Sequence, residues 1–377
     1  MTKHNLLYFA IIALINFVAA CTLSANSGTG SKNIAEANAA GSSNKQPAVV
    51  YKGHNLPHMR GAMISPNVTE EDLRVLGMEW HANLVRWQLN KGDRAPDNLD
   101  LKAYDDWLEK ALVHLDKLLP VCKEAGLKVV IDFHTTPGGR NGANENLIFK
   151  EKKYQDKFLD VWEKIARRYK GNDVVWGYDL ANEPEDRKMT FGLMNWHELA
   201  TQAAQKVRAI DASHAIIYEP IWADPDRLRK VEPLVVPGVV YSVHMYKPLE
   251  LTHQGVLKDK PVGVGYPEKI KVVMWDKDQL RRALQPVVDF QRKYGVHIYI
   301  GEFSAVRWAP DNSAYNYLKD LIDIFEENGW DWTYHAFREW SGWSVEHGQN
   351  QNDNSPAKEQ TQREQLLKSW FKKNVNK

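Results

Sequence analysis

From residue 59 onward the chain repeats one unit eight times, a short apolar run followed by a longer amphipathic one. The apolar runs are MRGAMIS from 59, ANLVRWQ from 82, LKVVIDFH from 127, VVWGYDLAN from 174, AIIYEP from 215, VVYSVHMY from 239, HIYIGEF from 297 and WTYHAF from 332. Runs this short, rich in Val, Ile and aromatic residues, read as strands. Between them apolar residues recur with the helical period over 69–78, 101–125, 151–170, 193–210, 277–294, 314–328 and 360–373, and more weakly over 224–231. Strict alternation implies parallel strands joined by crossover helices, and about 330 residues accommodate one (β/α)8 TIM barrel with generous loops. The competing α/β arrangement, a doubly wound open sheet, would carry a glycine-rich phosphate turn after its first strand, and RGAMISP is not one.

The barrel is expected over residues 48–377, and what precedes it reads differently. MTKHN is a short basic start, LLYFAIIALINFVAA is an apolar run too short for a membrane span, and small residues follow, which is the organisation of an export signal over 1–20. The run ends in Val18-Ala19-Ala20-Cys21, which resembles the bacterial lipobox, whose cysteine is lipidated and becomes the mature N-terminus. Several acyl chains anchor a protein far better than one, since each buried CH₂ contributes about 0.8 kcal/mol. Cys21 is thus the candidate lipidation site, with the bacterial cell envelope (outer membrane, surface or periplasmic face) as the expected location and secretion as the alternative. Residues 21–47 are mostly Ser, Gly, Asn and Ala, bury little, and read as a flexible linker. The other cysteine, Cys122, falls in an apolar helical stretch as core, so no disulfide framework is expected.

Lysine and arginine number 49 against 48 acidic residues, leaving a net charge of +1 and no field to draw in nucleic acid or an acidic partner. A neutral partner and a monomer are expected. The chain carries 14 tryptophans, whose flat faces with an N–H at the edge suit sugar rings. Polar residues gather at the carboxyl ends of the strands, where barrel enzymes keep their working groups. They are Arg86 on the second strand, Asp132 and His134 on the third, Asn182 and Glu183 on the fourth, Glu219 on the fifth, His244 and Tyr246 on the sixth, Glu302 on the seventh and Trp340 after the eighth. Carboxylates are rarely buried unpaired, so a ring of them at one mouth does not read as core.

In VVWGYDLANEPED, Pro184 lacks an N–H and is expected to stop the strand ladder, leaving Glu183 at its end. Glu183 and Glu302 form the pair that glycoside hydrolysis needs, one protonated to push the leaving oxygen and one ionised to attack the anomeric carbon. Arg86 and Tyr246 would favour the ionised form of Glu302, making it the nucleophile. That negative charge, with a partly apolar strand end, would keep Glu183 neutral as the general acid that later turns base. Retention of configuration predicts carboxyl groups about 5 to 5.5 Å apart.

These residues carry a resemblance to glycoside hydrolase family 5, the cellulase-like members of clan A. It runs the length of the barrel, through RGAMIS, NLVRW, VVIDFHTTPGG, YDLANEPE, VHMYKPLELTHQG, YIGEF and HAFREWSGW. The resemblance implies Glu183 as acid/base, Glu302 as retaining nucleophile and Asn182 as the residue that hydrogen-bonds the sugar 2-OH. It further implies Arg86 and Tyr246 as the pair orienting the nucleophile, His134 and His244 as histidines around the sugar at the cleavage point, and Trp340 as its stacking platform. Such a mechanism needs no cofactor.

The remaining candidates are less specific. The long segment after the sixth strand offers His253, Tyr266 and Trp275 as substrate contacts or as loop packing. Glu219, Trp222, Arg338, Glu339 and Trp343 stand in the same position. No His, Cys and Asp cluster has metal spacing; HELA at 197 is not H-E-x-x-H, and GVGYP is a turn rather than a phosphate loop. The expected substrate is a β-linked polysaccharide, β-1,4-glucan first, with β-mannan, β-1,3-glucan and xyloglucan open and endo or exo action undecided. A tethered carbohydrate-binding barrel without chemistry would show a damaged carboxylate pair. A barrel for phosphorylated sugars would show a phosphate turn where FSAVRWAPDNS and REWSGWS are aromatic.

Overall fold

The structure, a computed structural model, describes residues 57–374. The readings at 1–20 and 21–47, Cys21 among them, and the domain start expected at 48 lie outside the described residues. Eight parallel strands, β1 (Arg60–Ile64), β2 (Leu84–Gln88), β3 (Lys128–Asp132), β4 (Val175–Asp179), β5 (Ala215–Tyr218), β6 (Val239–Met245), β7 (His297–Phe303) and β8 (Asp331–Phe337), close into a barrel in chain order, with β8 returning beside β1. Helices α1 (Glu70–Arg74), α2 (Leu101–Glu124), α3 (Lys152–Tyr169), α4 (Trp196–Ile210), α5 (Lys277–Tyr294), α6 (Ser313–Glu327) and α7 (Gln362–Phe371) make the crossovers, and a 3₁₀ segment, Pro225–Lys230, serves after β5. None of the described helices is long and apolar enough to cross a membrane.

The strands form because period-two alternation gives each one an apolar face on both sides of the barrel wall. Inside, Leu84, Val130, Trp176, Ala215, Ile217, Val240 and Tyr299 pack with Met59 into one buried cluster that plugs the barrel. Outside, a second and larger cluster fills the space between strands and helices. Two residues further along each inward face the chemistry changes: Arg86 follows Leu84, Asp132 follows Val130 and Glu219 follows Ile217, all fully buried. The same alternation thus stacks a polar layer on an apolar one. Asp100, Asn195, Asp276 and Thr361 cap α2, α4, α5 and α7 by accepting first-turn N–H groups, each such cap contributing about 1 kcal/mol.

Three expectations shift. The helical pattern at 69–78 splits into α1 and a π-helical turn, Val75–Glu79. The weak pattern at 224–231 is 3₁₀ rather than α, since Pro225 opens it and Pro233 and Pro237 follow too closely for a longer helix. Strand β4 ends at Asp179, five residues before Pro184, so the proline is not what stops the ladder. Beyond β4 the chain stays close to its neighbours, with Leu180 N–H donating to Ile217 and Asn182 N–H to Phe133.

Candidate active site

At the carboxyl ends of the strands lies an open cavity of about 590 Å³, a volume typical of ligand pockets. Its lining includes His134, Asn182, Glu183, Trp222, His244, Tyr246, His253, Glu302, His335, Glu339 and Trp343. At its floor Arg86, fully buried, reaches four carboxylates: Asp132 at 3.1 Å, Asp179 at 3.0 Å, Glu219 at 3.0 Å and Glu302 at 2.5 Å. Burial would strip its proton, but these four hold the guanidinium firmly charged. Burial, reinforced by Glu219, pushes Asp179 well above the ordinary carboxylate range, against the pull of Arg86.

Glu302 is held on both oxygens. Arg86 donates to Oε1, and the Tyr246 hydroxyl donates to Oε2 at 2.9 Å, with His335 Nδ1 3.2 Å from the same oxygen. Burial alone would raise its pKa, yet the charges of His244, His335 and Arg86 outweigh this and hold Glu302 well below the usual carboxylate range. Its place beside His244 follows from the β6–β7 ladder, which slips by one residue between Val243 and His244 and so sets His244 opposite Glu302. Gly301 makes room for that imidazole; a Cβ there would lie 2.9 Å from His244 Nε2.

His244 bridges two acids, with Nδ1 2.9 Å from Glu183 Oε1 and Nε2 3.0 Å from Glu219 Oε1. Burial disfavours its cation, and Glu219 and Glu302 more than reverse this, raising its pKa well above normal. Glu183 and Glu302 each present an oxygen within 4.8 Å of the other's and of a His244 nitrogen. Nearest oxygens this close accord with the short carboxyl separation of a retaining pair rather than with the roughly 6.5 Å or more of an inverting one. The same three groups lie close enough to hold a metal ion, a cluster the linear spacing does not reveal. Glu302's oxygens are already occupied by Arg86, Tyr246 and His335, so a cation would have to displace them.

The fold therefore brings together Arg86, His134, Asn182, Glu183, His244, Tyr246 and Glu302. His134 hydrogen-bonds Asp132 at 2.8 Å, and Asn182 accepts from Arg86 Nη2 at 3.1 Å. Trp340 departs from expectation. It packs edge-on against Trp343 and Trp308 and is not among the residues lining the cavity. The aromatic that faces the cleft from this loop is Trp343, stacked on Tyr246 and donating its indole N–H to the Thr252 carbonyl. Among the looser candidates, His253, Trp222 and Glu339 line the cleft, whereas Tyr266 is buried against α6, its hydroxyl donating to Asp320 and its ring edge-on to Tyr317. Trp275 sits in a small antiparallel hairpin, Glu268–Ile270 with Val273–Trp275, outside the lining, and Arg338 turns away to Asp72 and Glu346. His335 was not among the residues singled out from the sequence, although alternation in WTYHAF places it on the same inward face as Thr333.

The sequence matches the cellulase family, glycosyl hydrolase family 5, over residues 42–341. The chain belongs to that family. Curated relatives include Endoglucanase C of Acetivibrio thermocellus, 25% identical over 259 residues that cover 61% of this chain and 74% of that one. Cellodextrinase A of Ruminococcus flavefaciens is 28% identical over 230 residues, 59% of this chain and 66% of that one. Among solved structures, a glycoside hydrolase superposes with a TM-score of 0.66 at 25% identity, covering 84% of this chain and 99% of that one. Endoglucanase Cel5A of Thermotoga maritima gives 0.62 at 22% identity, covering 82% and 96%, and shares the fold. This chain is thus a family 5 glycoside hydrolase, an enzyme that cleaves O-glycosyl bonds.

Proposed function

We propose that this family 5 hydrolase cleaves internal bonds of β-1,4-glucan with net retention, using Glu302 as nucleophile and Glu183 as acid/base. The observation that carries the reading is a carboxylate held ionised by Arg86, Tyr246 and histidines, with a second carboxyl oxygen within 4.8 Å at the floor of an open cleft. The substrate follows from the endoglucanases and cellodextrinase among the relatives. In the first step Glu302 attacks the anomeric carbon while Glu183 gives its proton to the departing glycosidic oxygen, leaving a glycosyl ester on Glu302. In the second step Glu183, now a carboxylate, takes a proton from water whose oxygen attacks the same carbon, and Glu302 departs as a carboxylate. Asn182, which accepts from Arg86 and lies 3.4 Å from His134, is assigned to the sugar 2-OH, with His134 and His244 beside the sugar at the cleavage point.

Two measurements test this. Proton NMR of the first product should show the β-anomer before mutarotation, and an α-anomer would exclude retention. A panel of carboxymethylcellulose, mannan, xyloglucan and laminarin should show fastest hydrolysis and falling viscosity on the first. We further propose that Cys21 is lipidated and tethers the barrel to the cell envelope through residues 22–47. Supporting this is the lipobox-like VAAC after an apolar signal. Cys21→Ser should move the activity from the membrane fraction to the soluble fraction.

A further inference from the structure

Four main-chain groups of residues 183–185 are each held by a group from elsewhere on the catalytic face. Glu183 has φ +42°, in the left-handed region that side chains disfavour and that persists only where surrounding contacts enforce it. Its N–H donates to Glu219 Oε2 at 2.7 Å, and its carbonyl accepts from Arg140 Nη2 at 2.7 Å. The Pro184 carbonyl accepts from Trp222 N–H at 2.9 Å, and Glu185 N–H donates to Asn146 at 2.8 Å. Arg140 and Asn146 pair with each other in an isolated antiparallel bridge, so one loop, that between β3 and α3, supplies two of the four holds.

Arg140 is itself immobilised. Its side chain is 3% exposed, and its Nε donates to Asp93 Oδ2 at 3.0 Å. Its own N–H donates to the Asp93 carbonyl at 2.7 Å, and the preceding Gly139 packs so closely there that a Cβ would lie 2.1 Å from that oxygen. The guanidinium also lies 5.2 Å from the ring centre of Trp222, which lines the cleft. A rigid, planar fork is suited to holding three partners at once, where an ammonium is a single point charge.

We infer that Arg140 is a positioning residue for the hydrolytic reaction: it fixes the main chain of Glu183, and through it the direction in which the acid/base carboxyl points, while bracing Trp222 on the same wall. This rests on the reading of Glu183 as acid/base. Proton delivery is needed when the leaving group is a sugar or a weakly acidic phenol, and it is dispensable when the leaving group departs as a stable phenolate. A residue that aims the acid therefore acts on one class of substrate and spares the other. A residue that merely holds the fold together does not make this distinction.

The test compares kcat/KM for phenyl β-cellobioside and 2,4-dinitrophenyl β-cellobioside in wild type, Arg140→Lys, Asp93→Asn and Glu183→Ala. Arg140→Lys should lower the phenyl value roughly tenfold to hundredfold, a part of the 10²–10⁴ that a general acid supplies, and change the dinitrophenyl value by less than about threefold. Asp93→Asn, which leaves the fork in place but loosens its support, should shift the ratio in the same direction by less. If Arg140→Lys melts below the assay temperature, Asp93→Asn alone decides. An unchanged ratio in the folded variants, with or without an equal loss on both substrates, overturns the inference. Glu183→Ala is read separately: its ratio should change most of all, and if it does not, the acid/base assignment fails rather than the role of Arg140.

Discussion

Glu302 accepts from Arg86 and Tyr246 and lies against His335, and each of these neighbours favours its charged form. Glu302→Ala should abolish hydrolysis while cello-oligosaccharide binding, measured by calorimetry, survives; turnover at the wild-type rate would remove the residue from its role. Since its carboxyl is held well below the usual range, the acid limb of kcat/KM should fall well below pH 4.5. His335 bears on the opposite side of neutrality. Burial would lower its pKa, but Glu302 and Glu339, with oxygens at 3.2 Å and 3.3 Å, raise it from 6.5 to about 9. The folded protein thus binds this proton more tightly than the unfolded chain. The stabilisation is complete below pH 6.5 and is lost as pH rises through about 9. A shift of that size corresponds to roughly 3 kcal/mol. Thermal melts of wild type should fall across this window, and His335→Asn should flatten the fall only in part, because His134 and His244 are shifted in the same direction.

The loop from β8 to α7 has little regular structure, and it is organised around one side chain. Arg307, fully buried, donates to the carbonyls of Ser341, Gly348, Asn350, Gln351 and Asp353. It supplies the partners that a ladder would otherwise give this backbone. Arg307→Ala should cost about 3 kcal/mol, since several carbonyls lose their donor, and should open the loop to proteolysis between 346 and 360. As Trp343 sits on this loop, KM should rise more than kcat falls, which steady-state kinetics would show. The helices α2, α3 and α5 were legible to within a residue, because long amphipathic runs with polar caps leave little choice. The hairpin Glu268–Trp275 was not, since three-residue strands carry no periodic signal. Trp340 and Trp343 are alike as residues in HAFREWSGW. The turn at Arg338, φ +51°, and the bond from Trp343 to Thr252 decide which of them faces the cleft.

Arg86 joins strands at the scale of the whole barrel, with carboxylates arriving from β3, β4, the end of β5 and β7. Removing it leaves buried negative charges facing one another. Arg86→Met should therefore destabilise the protein by roughly 3–5 kcal/mol in urea unfolding, despite replacing a buried charge by an apolar side chain, and abolish hydrolysis. Alternation and period are properties of the chain, so the sequence alone determined a closed eight-strand barrel and the strand ends at which polar residues collect. It also offered Glu183 and Glu302 as the candidate pair, because carboxylates that close or follow an apolar run are rarely left there without a partner or a task. The tertiary structure alone decided what depends on groups distant in the chain meeting in space. These are the one-residue slip that sets His244 against Glu302, the arrival of His335 beside the nucleophile, and the grip of Arg140 on Glu183. No local pattern encodes such meetings, since each depends on the barrel fold bringing together residues that lie on different strands or loops, far beyond the reach of any helical or strand period.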